Sequence, residues 1–279
     1  MPDSDLEDRE LMRLSARGDR AAFGAIAARH GPAVVRLARA VLGDDASAQD
    51  VAQDALLQGF RRAATFRPEL GGVRPWLFAI ARHAAWHHRR GQSLASDPGE
   101  AEPQLGELGL SAGWSADDPE SMLARAEDAE ALAWALAGLS AKDREVLLLR
   151  DVEGASGEET AAILELDLRS MKSRLHRARL KLMSTLREGD TAMRAAQRQE
   201  GGLDCAQVLE RLSDYVDGHL GAEDKAAVDR HLQGCEVCER FGGRFKRTVA
   251  GLRQQLGARP AVDADTYAAL MARWSHQPP

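Results

Sequence analysis

The chain has 279 residues, of which 44% are hydrophobic and 29% charged, with a net charge of −6 and three cysteines. That composition excludes a disordered chain and a disulfide scaffold, and no apolar run approaches the ~18 residues a membrane span needs. The length suits about two domains.

Residues Met1 to Asp19 carry six acids, three arginines and no apolar core, which predicts no secretory leader. Three cysteines fit a reducing cytoplasm. Beyond this point helical periodicity dominates and strand patterns are essentially absent, so the predicted fold class is all-α. Residues 20–92 hold eleven arginines and five acids. Within them Phe60, Phe66, Trp76, Phe78 and Trp86 interleave with Arg61, Arg62, Arg67, Arg74, Arg82, Arg89 and Arg90. Arginines among aromatics suit single-stranded nucleic acid, because guanidinium groups track phosphates while rings stack on unpaired bases. Helical spacing places Leu77, Ile80, Ala81 and Ala84 on the buried side, with Phe78 able to join them. His83 and His87 stand one turn apart, as in a metal clamp, but lack the glutamate of a metalloprotease motif.

Residues 93–124 carry seven acids, no base, three prolines and four glycines, which predicts an acidic flexible linker. Residues 125–187 balance eleven bases against eleven acids, yet Leu168 to Arg187 holds seven bases and no acid. Ser140-Ala-Lys-Asp143 and Ser156-Gly-Glu-Glu159 read as capping boxes opening two helices, with Gly154 ending the first. The turn Glu165-Leu166-Asp167 then leads into a helix from Leu168, the spacing of a helix-turn-helix. On that helix Leu168, Met171, Leu175, Ala178, Leu182 and Leu186 form one stripe for packing on the preceding helices. Arg169, Ser170, Lys172, Ser173, Arg174 and Arg177 are the expected contacts to duplex DNA, with Arg177, Arg179 and Lys181 assigned to phosphates.

A second connector, 188–202, ends in a Gly-Gly pair. Beyond it, His231-x3-Cys235-x2-Cys238 has metal-knuckle spacing, and Cys205 follows Asp204 in the first turn of an earlier helix. Antiparallel packing brings Cys205 to the same end, giving a Cys3His set suited to structural Zn2+. A thioredoxin-like Cys-x-x-Cys is the competing idea, without the βαβ context it needs.

Three stretches carry a family resemblance. Asp50-Val-Ala-Gln-Asp54-Ala-Leu-Leu, Trp76-Leu-Phe-Ala-Ile-Ala-Arg-His83 and His88-Arg-Arg90 resemble region two of bacterial extracytoplasmic-function (ECF) RNA polymerase sigma factors. Ser170-Met-Lys-Ser-Arg-Leu-His-Arg-Ala-Arg179 is similar to the region-four recognition helix of that family. Leu203 to Cys238 resembles a zinc-binding anti-sigma domain.

The resemblance implies a transcription initiation factor, with no enzyme activity of its own, that carries core RNA polymerase to promoter DNA. Region four would read the upstream element. Region two would hold the melted downstream element through Arg61, Phe66, Arg74, Trp76, Arg82, His83, Trp86, His87, Arg89 and Arg90, with the loop Thr65 to Val73 capturing an extruded base. Asp50, Gln53 and Asp54 would meet the β′ coiled coil, and region four the β flap. The attached module would act as an intramolecular anti-sigma-like domain, with no membrane partner. The implied organisation is region two over 9–92, acidic linker 93–124, region four over 125–187, connector 188–202 and zinc module 203–275, whose last helix would span Asp263 to Ser275. His83 and His87 stand where the family has Asn and Asp, and Glu165 where it has Gly. Two alternatives stay open: a one-component helix-turn-helix regulator with a structural zinc module, and a zinc hydrolase built on His83 and His87.

Overall fold

The structure is a computed structural model, and it describes residues 2–92, 129–186, 199–200 and 202–257. The acidic linker, the middle of the second connector and the helix expected over 263–275 lie outside the described residues. The described chain is helical, as the periodicity predicts, apart from one antiparallel pair of two-residue strands. Packing divides the described residues into two compact units, in which 148–167 belong with 2–92, and 168–186, 199–200 and 202–257 with 129–147.

The first unit begins with α1 (Pro2–Ser15), α2 (Arg20–Leu42), α3 (Asp45–Arg61) and α4 (Val73–Gln92). Asp19 caps α2 by accepting from the amides of Ala21 and Ala22, and Gly43 ends it in the left-handed conformation. Asp44 caps α3 through the Ser47 amide at 2.8 Å. Phe23, Ile26, Val34, Leu37 and Val41 of α2 pack with Val51, Ala52 and Leu56 of α3 and with Leu77, Phe78, Ala81 and Ala85 of α4, all buried. Ala85 takes the buried place expected for Ala84, which is half-exposed. Gly59 permits the close approach of α3 to α4: a Cβ there would stand 3.0 Å from Leu77 Cδ2 and 3.2 Å from Phe23 Cζ. Asp8 ties α1 to α2 through Arg29 and His30. Burial pushes its carboxyl up, but hydrogen bonds from both partners outweigh this and hold it below the usual carboxylate range.

The same unit contains the turn Leu148–Val152, wound with π geometry, and a short helix; the second unit opens with two helices before that turn. In chain order these helices are α5 (Ala129–Ala137), α6 (Ala141–Leu147) and, after the π turn, α7 (Gly157–Leu164). The helix expected to run through Arg150 thus ends as α-helix at Leu147. Ser156 and Glu159 form the predicted capping box. At Ser140 only half of the predicted box is seen: its hydroxyl accepts from the Asp143 amide, while the Asp143 carboxylate accepts from Ser140 Oγ and Lys181 Nζ.

The second unit continues with α8 (Leu168–Leu186), strands β1 (Gln199–Glu200) and β2 (Leu203–Asp204), then α9 (Cys205–Val216), α10 (Ala222–Gly234) and α11 (Glu236–Gly257). Gly202, at φ 86, makes the turn between the two strands. Asp204 and Gln207 form a capping box that starts α9 at Cys205. Leu132, Leu139, Val146 and Leu147 are buried with Met171, Leu175, Ala178, Leu182 and Leu186 where α5 and α6 meet α8. The predicted stripe is therefore core, except Leu168, which is 39% exposed.

Glu165 closes α7 at φ 57 and ψ 42, so a left-handed backbone conformation suited to glycine is held by a glutamate. Its ion pair with Arg82, at 3.9 Å and with Glu165 exposed, compensates little. Glu165→Gly is expected to raise stability by about 1 kcal/mol in denaturant unfolding, with no change in helical content.

Candidate nucleic-acid interface and metal centre

Helix α8 has three faces. One is the core stripe. A second carries Arg169, Ser170 and Ser173, exposed, with Arg174 and Arg177 half-buried. The third was not predicted: Lys172, His176, Arg179, Leu180 and Met183, spaced to lie along one line of the helix. Leu180 and Met183 are fully buried in a cluster with Cys205, Val208, Leu209, Leu212, Val228, Phe241, Phe245 and Val249. These come from α9, α10 and α11, so the C-terminal helices share one apolar core with the basic helix.

Polar contacts run along the same line. Lys172 Nζ lies 2.9 Å from an Asp214 carboxylate oxygen. His176 Nδ1 lies 2.8 Å from Ser213 Oγ. Arg179, only 2% exposed, donates to Asp217 at 2.9 Å, and Asp217 also accepts from Arg253 of α11 at 3.0 Å. Arg179 is therefore turned inward onto Asp217 in this arrangement; the apolar neighbours at 180 and 183 were the signal for this. Lys181, like Arg179 expected on phosphates, donates to Asp143 at 2.8 Å. Burial, with Arg179 next in weight, pushes the His176 imidazole down to about 4. The ring is thus neutral near pH 7.

The four metal-type residues do converge. Cys205, His231, Cys235 and Cys238 are all buried, and their ligand atoms lie within 4.8 Å of one another. The Cys205 and Cys235 sulfurs are 3.8 Å apart. Metal–sulfur bonds of ~2.3 Å in a tetrahedron put two sulfurs about 3.8 Å apart, so the donor set fits such a centre without rearrangement. His231 Nδ1 lies 3.0 Å from the Leu203 carbonyl oxygen, which leaves Nε2 as the ring's ligand atom. Three elements supply the set: the α9 N-terminus, α10, and the start of α11. Among the described residues no third ligand joins His83 and His87, which are both exposed.

In the first unit Asp50 and Asp54 are exposed and Gln53 half-buried on one side of α3. The arginine–aromatic block lies on α4 and the turns before it. Phe66 and Trp76 meet edge to face at 5.7 Å, and both are half-buried. Leu70 is 85% exposed in the loop between them. Arg61 and Arg90 are exposed, while Arg74, Arg82, Trp86 and Arg89 are half-buried. Arg74 stacks over Phe78 at 5.2 Å, and Arg89 donates to the Val41 carbonyl at 2.9 Å. Glu153, whose carboxylate is buried, accepts from Arg36 at 2.6 Å and also from Arg74. Its role was invisible in sequence because the partners are 117 and 79 positions away.

Comparison with known proteins agrees with this arrangement. Residues 26–94 match the family Sigma-70 region 2, residues 129–182 match Sigma-70, region 4, and residues 205–238 match a zinc-finger family. RNA polymerase sigma factor CnrH of Cupriavidus metallidurans is 33% identical over 181 residues, 64% of this chain and 94% of that protein. The chain is an ECF sigma factor. ECF RNA polymerase sigma factor SigD of Mycobacterium tuberculosis is 34% identical over 58% of this chain and 75% of SigD. The structure of CnrH in complex with the cytosolic domain of CnrY aligns with a TM-score of 0.46 and 28% identity, over 64% of this chain and 97% of that one.

Sigma factors bind core RNA polymerase and promoter DNA and are initiation factors, not enzymes. No described helix of this sigma factor is long and apolar enough to cross a membrane. These relatives cover 64% and 58% of the chain, and the four metal-type residues fall within the zinc-finger match at 205–238.

Two outcomes follow from the geometry. His231→Ala or Cys238→Ser is expected to reduce bound metal from about one equivalent to none by elemental analysis, with loss of helix signal from the C-terminal helices. Because His176 takes up its proton only near pH 4 when folded and near 6.5 when released, the fold holds fewer protons than the unfolded chain between these values. Stability of the second unit is therefore full above pH ~6.5 and falls by up to about 3 kcal/mol as pH drops towards ~4, a slope that His176→Gln removes in urea titrations.

Proposed function

We propose that this ECF sigma factor directs core RNA polymerase to specific promoters and is held in check, in cis, by its own zinc-closed C-terminal module. One observation carries the reading. The helix with seven bases and no acid across 168–187 shares its buried core with that module, rather than lying free. A chain built to read DNA constitutively has no reason to cover one face of that helix.

In this reading Arg169, Ser170, Lys172, Ser173, Arg174 and Arg177 contact the upstream duplex. Arg61, Phe66, Arg74, Trp76, Arg82, His83, Trp86, His87, Arg89 and Arg90 hold the melted downstream strand. The exposure of Asp50 and Asp54 supports their role, with Gln53, in meeting the β′ coiled coil; the β flap is the partner of region four. The ion is Zn2+, because three thiolates and one imidazole in a closed, buried set are its usual structural ligands. Its role is to hold α9, α10 and the start of α11 in one docking shape. Domain limits follow the sequence reading: 9–92, 125–187 and 203–275, with connectors at 93–124 and 188–202. The protein acts in the cytoplasm, with its polymerase.

The fifteen residues 188–202 could reach ~50 Å when extended, and a short tether gives an effective concentration near mM. A contact of only ~μM affinity is then closed about 99.9% of the time, so opening needs a signal or competition from other partners.

The test is run-off transcription on sheared genomic DNA with core polymerase and the full chain, the chain ending at residue 198, and Cys238→Ser. Transcripts that depend on the chain, and rise severalfold when the module is removed or its metal lost, are the expected result. Failure of every form to pull down core polymerase overturns the assignment. Loss of transcription on removing the module overturns inhibition in cis.

A further inference from the structure

The third face of α8 says what the module competes with. We propose that Asp214 and Asp217 of the module stand in for DNA phosphates, so that module docking and duplex DNA exclude each other on α8. This rests on the regulatory reading above and names the surface through which it works.

Three observations support it. The first is charge. Asp214 and Asp217 sit three residues apart on and just after α9, and pair with Lys172 and Arg179, two turns apart on α8. Oxyanions at hydrogen-bond distance from Lys and Arg are what a phosphate backbone offers. Lys172 belongs to the set that faces DNA, so the module occupies a cation the duplex would need. The second is space. A major groove ~12 Å wide is filled by one helix 10–12 Å across. Packed helices stand ~8–10 Å apart, so a helix seated beside α8 from Lys172 to Met183 overlaps the groove wall.

The third is register. Leu180 and Met183 anchor the contact, and the buried Arg179–Asp217 pair, which exposed Arg253 also joins, fixes where α9 sits. A nonspecific acidic tail would have no such anchor. The groups facing His176 are Ser213 and Asp214 of α9, Phe245 of α11, and Arg177 and Arg179 of its own helix. A neutral imidazole fits this dry contact, and release to water or to DNA would let it protonate at ordinary pH.

The probe is a labelled 30-base-pair duplex of mixed sequence, titrated into the full chain by fluorescence anisotropy at low salt. Asp214→Lys repels Lys172 at a half-exposed position, so the fold tolerates it; retained metal content confirms that. It is expected to raise duplex affinity about tenfold, and Asp217→Asn to act in the same direction. Lys172→Asp with Asp214→Lys restores the pair and is expected to return affinity to the starting value or below. Conversely, adding the duplex to the unmodified chain is expected to move the His176 titration, followed by NMR, from near 4 towards 6.5 or above. Unchanged duplex affinity in Asp214→Lys overturns the proposal, as does DNA binding that leaves His176 titrating near 4.

No polymerase is present in this assay, so its outcome separates from the parent reading. Competition with DNA alongside transcription that ignores the module would refute cis regulation and leave the mimicry standing. Transcription that responds to the module without any competition would refute the mimicry alone.

Discussion

The buried carboxylate of Asp217, held between Arg179 and Arg253, is the constraint on which the second unit depends. Taking the charges of Arg179 and Asp217 out of water is costly, while Arg253 reaches the same carboxylate from the solvent side; what that cost secures is one fixed arrangement of the two helices. Here the apolar side chains of Leu180 and Met183 supply the attraction, which is nondirectional, and the Arg179–Asp217 pair supplies the register. A basic helix surrounded by solvent could slide along an apolar partner. One with Arg179 buried against Asp217 cannot.

The metal-type centre extends the same logic. α9 opens on Cys205, and the Asp204–Gln207 capping box sets the direction in which that thiol leaves the helix. α10 and α11 meet at Cys235, whose extended backbone lets His231 and Cys238 face the same point. Four metal-type side chains from three elements converge in a bundle whose own core is small, so an ion there would add to its stability. The contact to α8 then inherits its shape from the metal site, since Cys205, Cys235 and Cys238 belong to the cluster that receives Leu180 and Met183.

The first unit uses charge differently. Arg36 and Arg74 converge on the buried Glu153, which follows the π turn Leu148–Val152. Winding with π geometry and the left-handed Gly154 together aim that carboxylate at α2 and α4. Arg74 gives Nη2 to Glu153, so the contact proposed for it with melted DNA would fall to its other N–H groups.

Much of the architecture was legible in the chain itself because it is local. The capping box at Ser156 and the 3.6-residue stripe from Met171 to Leu186 depend on neighbours within a few positions, so periodicity and composition expose them. The metal-type set was legible too, because His-x3-Cys-x2-Cys is itself local and one further cysteine was left to complete it. What only the tertiary structure decided was which cations of α8 face solvent and which face Asp143, Asp214 and Asp217. Arg177 and Arg179 look alike in sequence, but the two-residue step turns them to different sides of the helix, and only one side meets α9. Pairing across ~40 to more than 100 positions is set by how helices pack in three dimensions, and side-chain order along the chain carries no record of it.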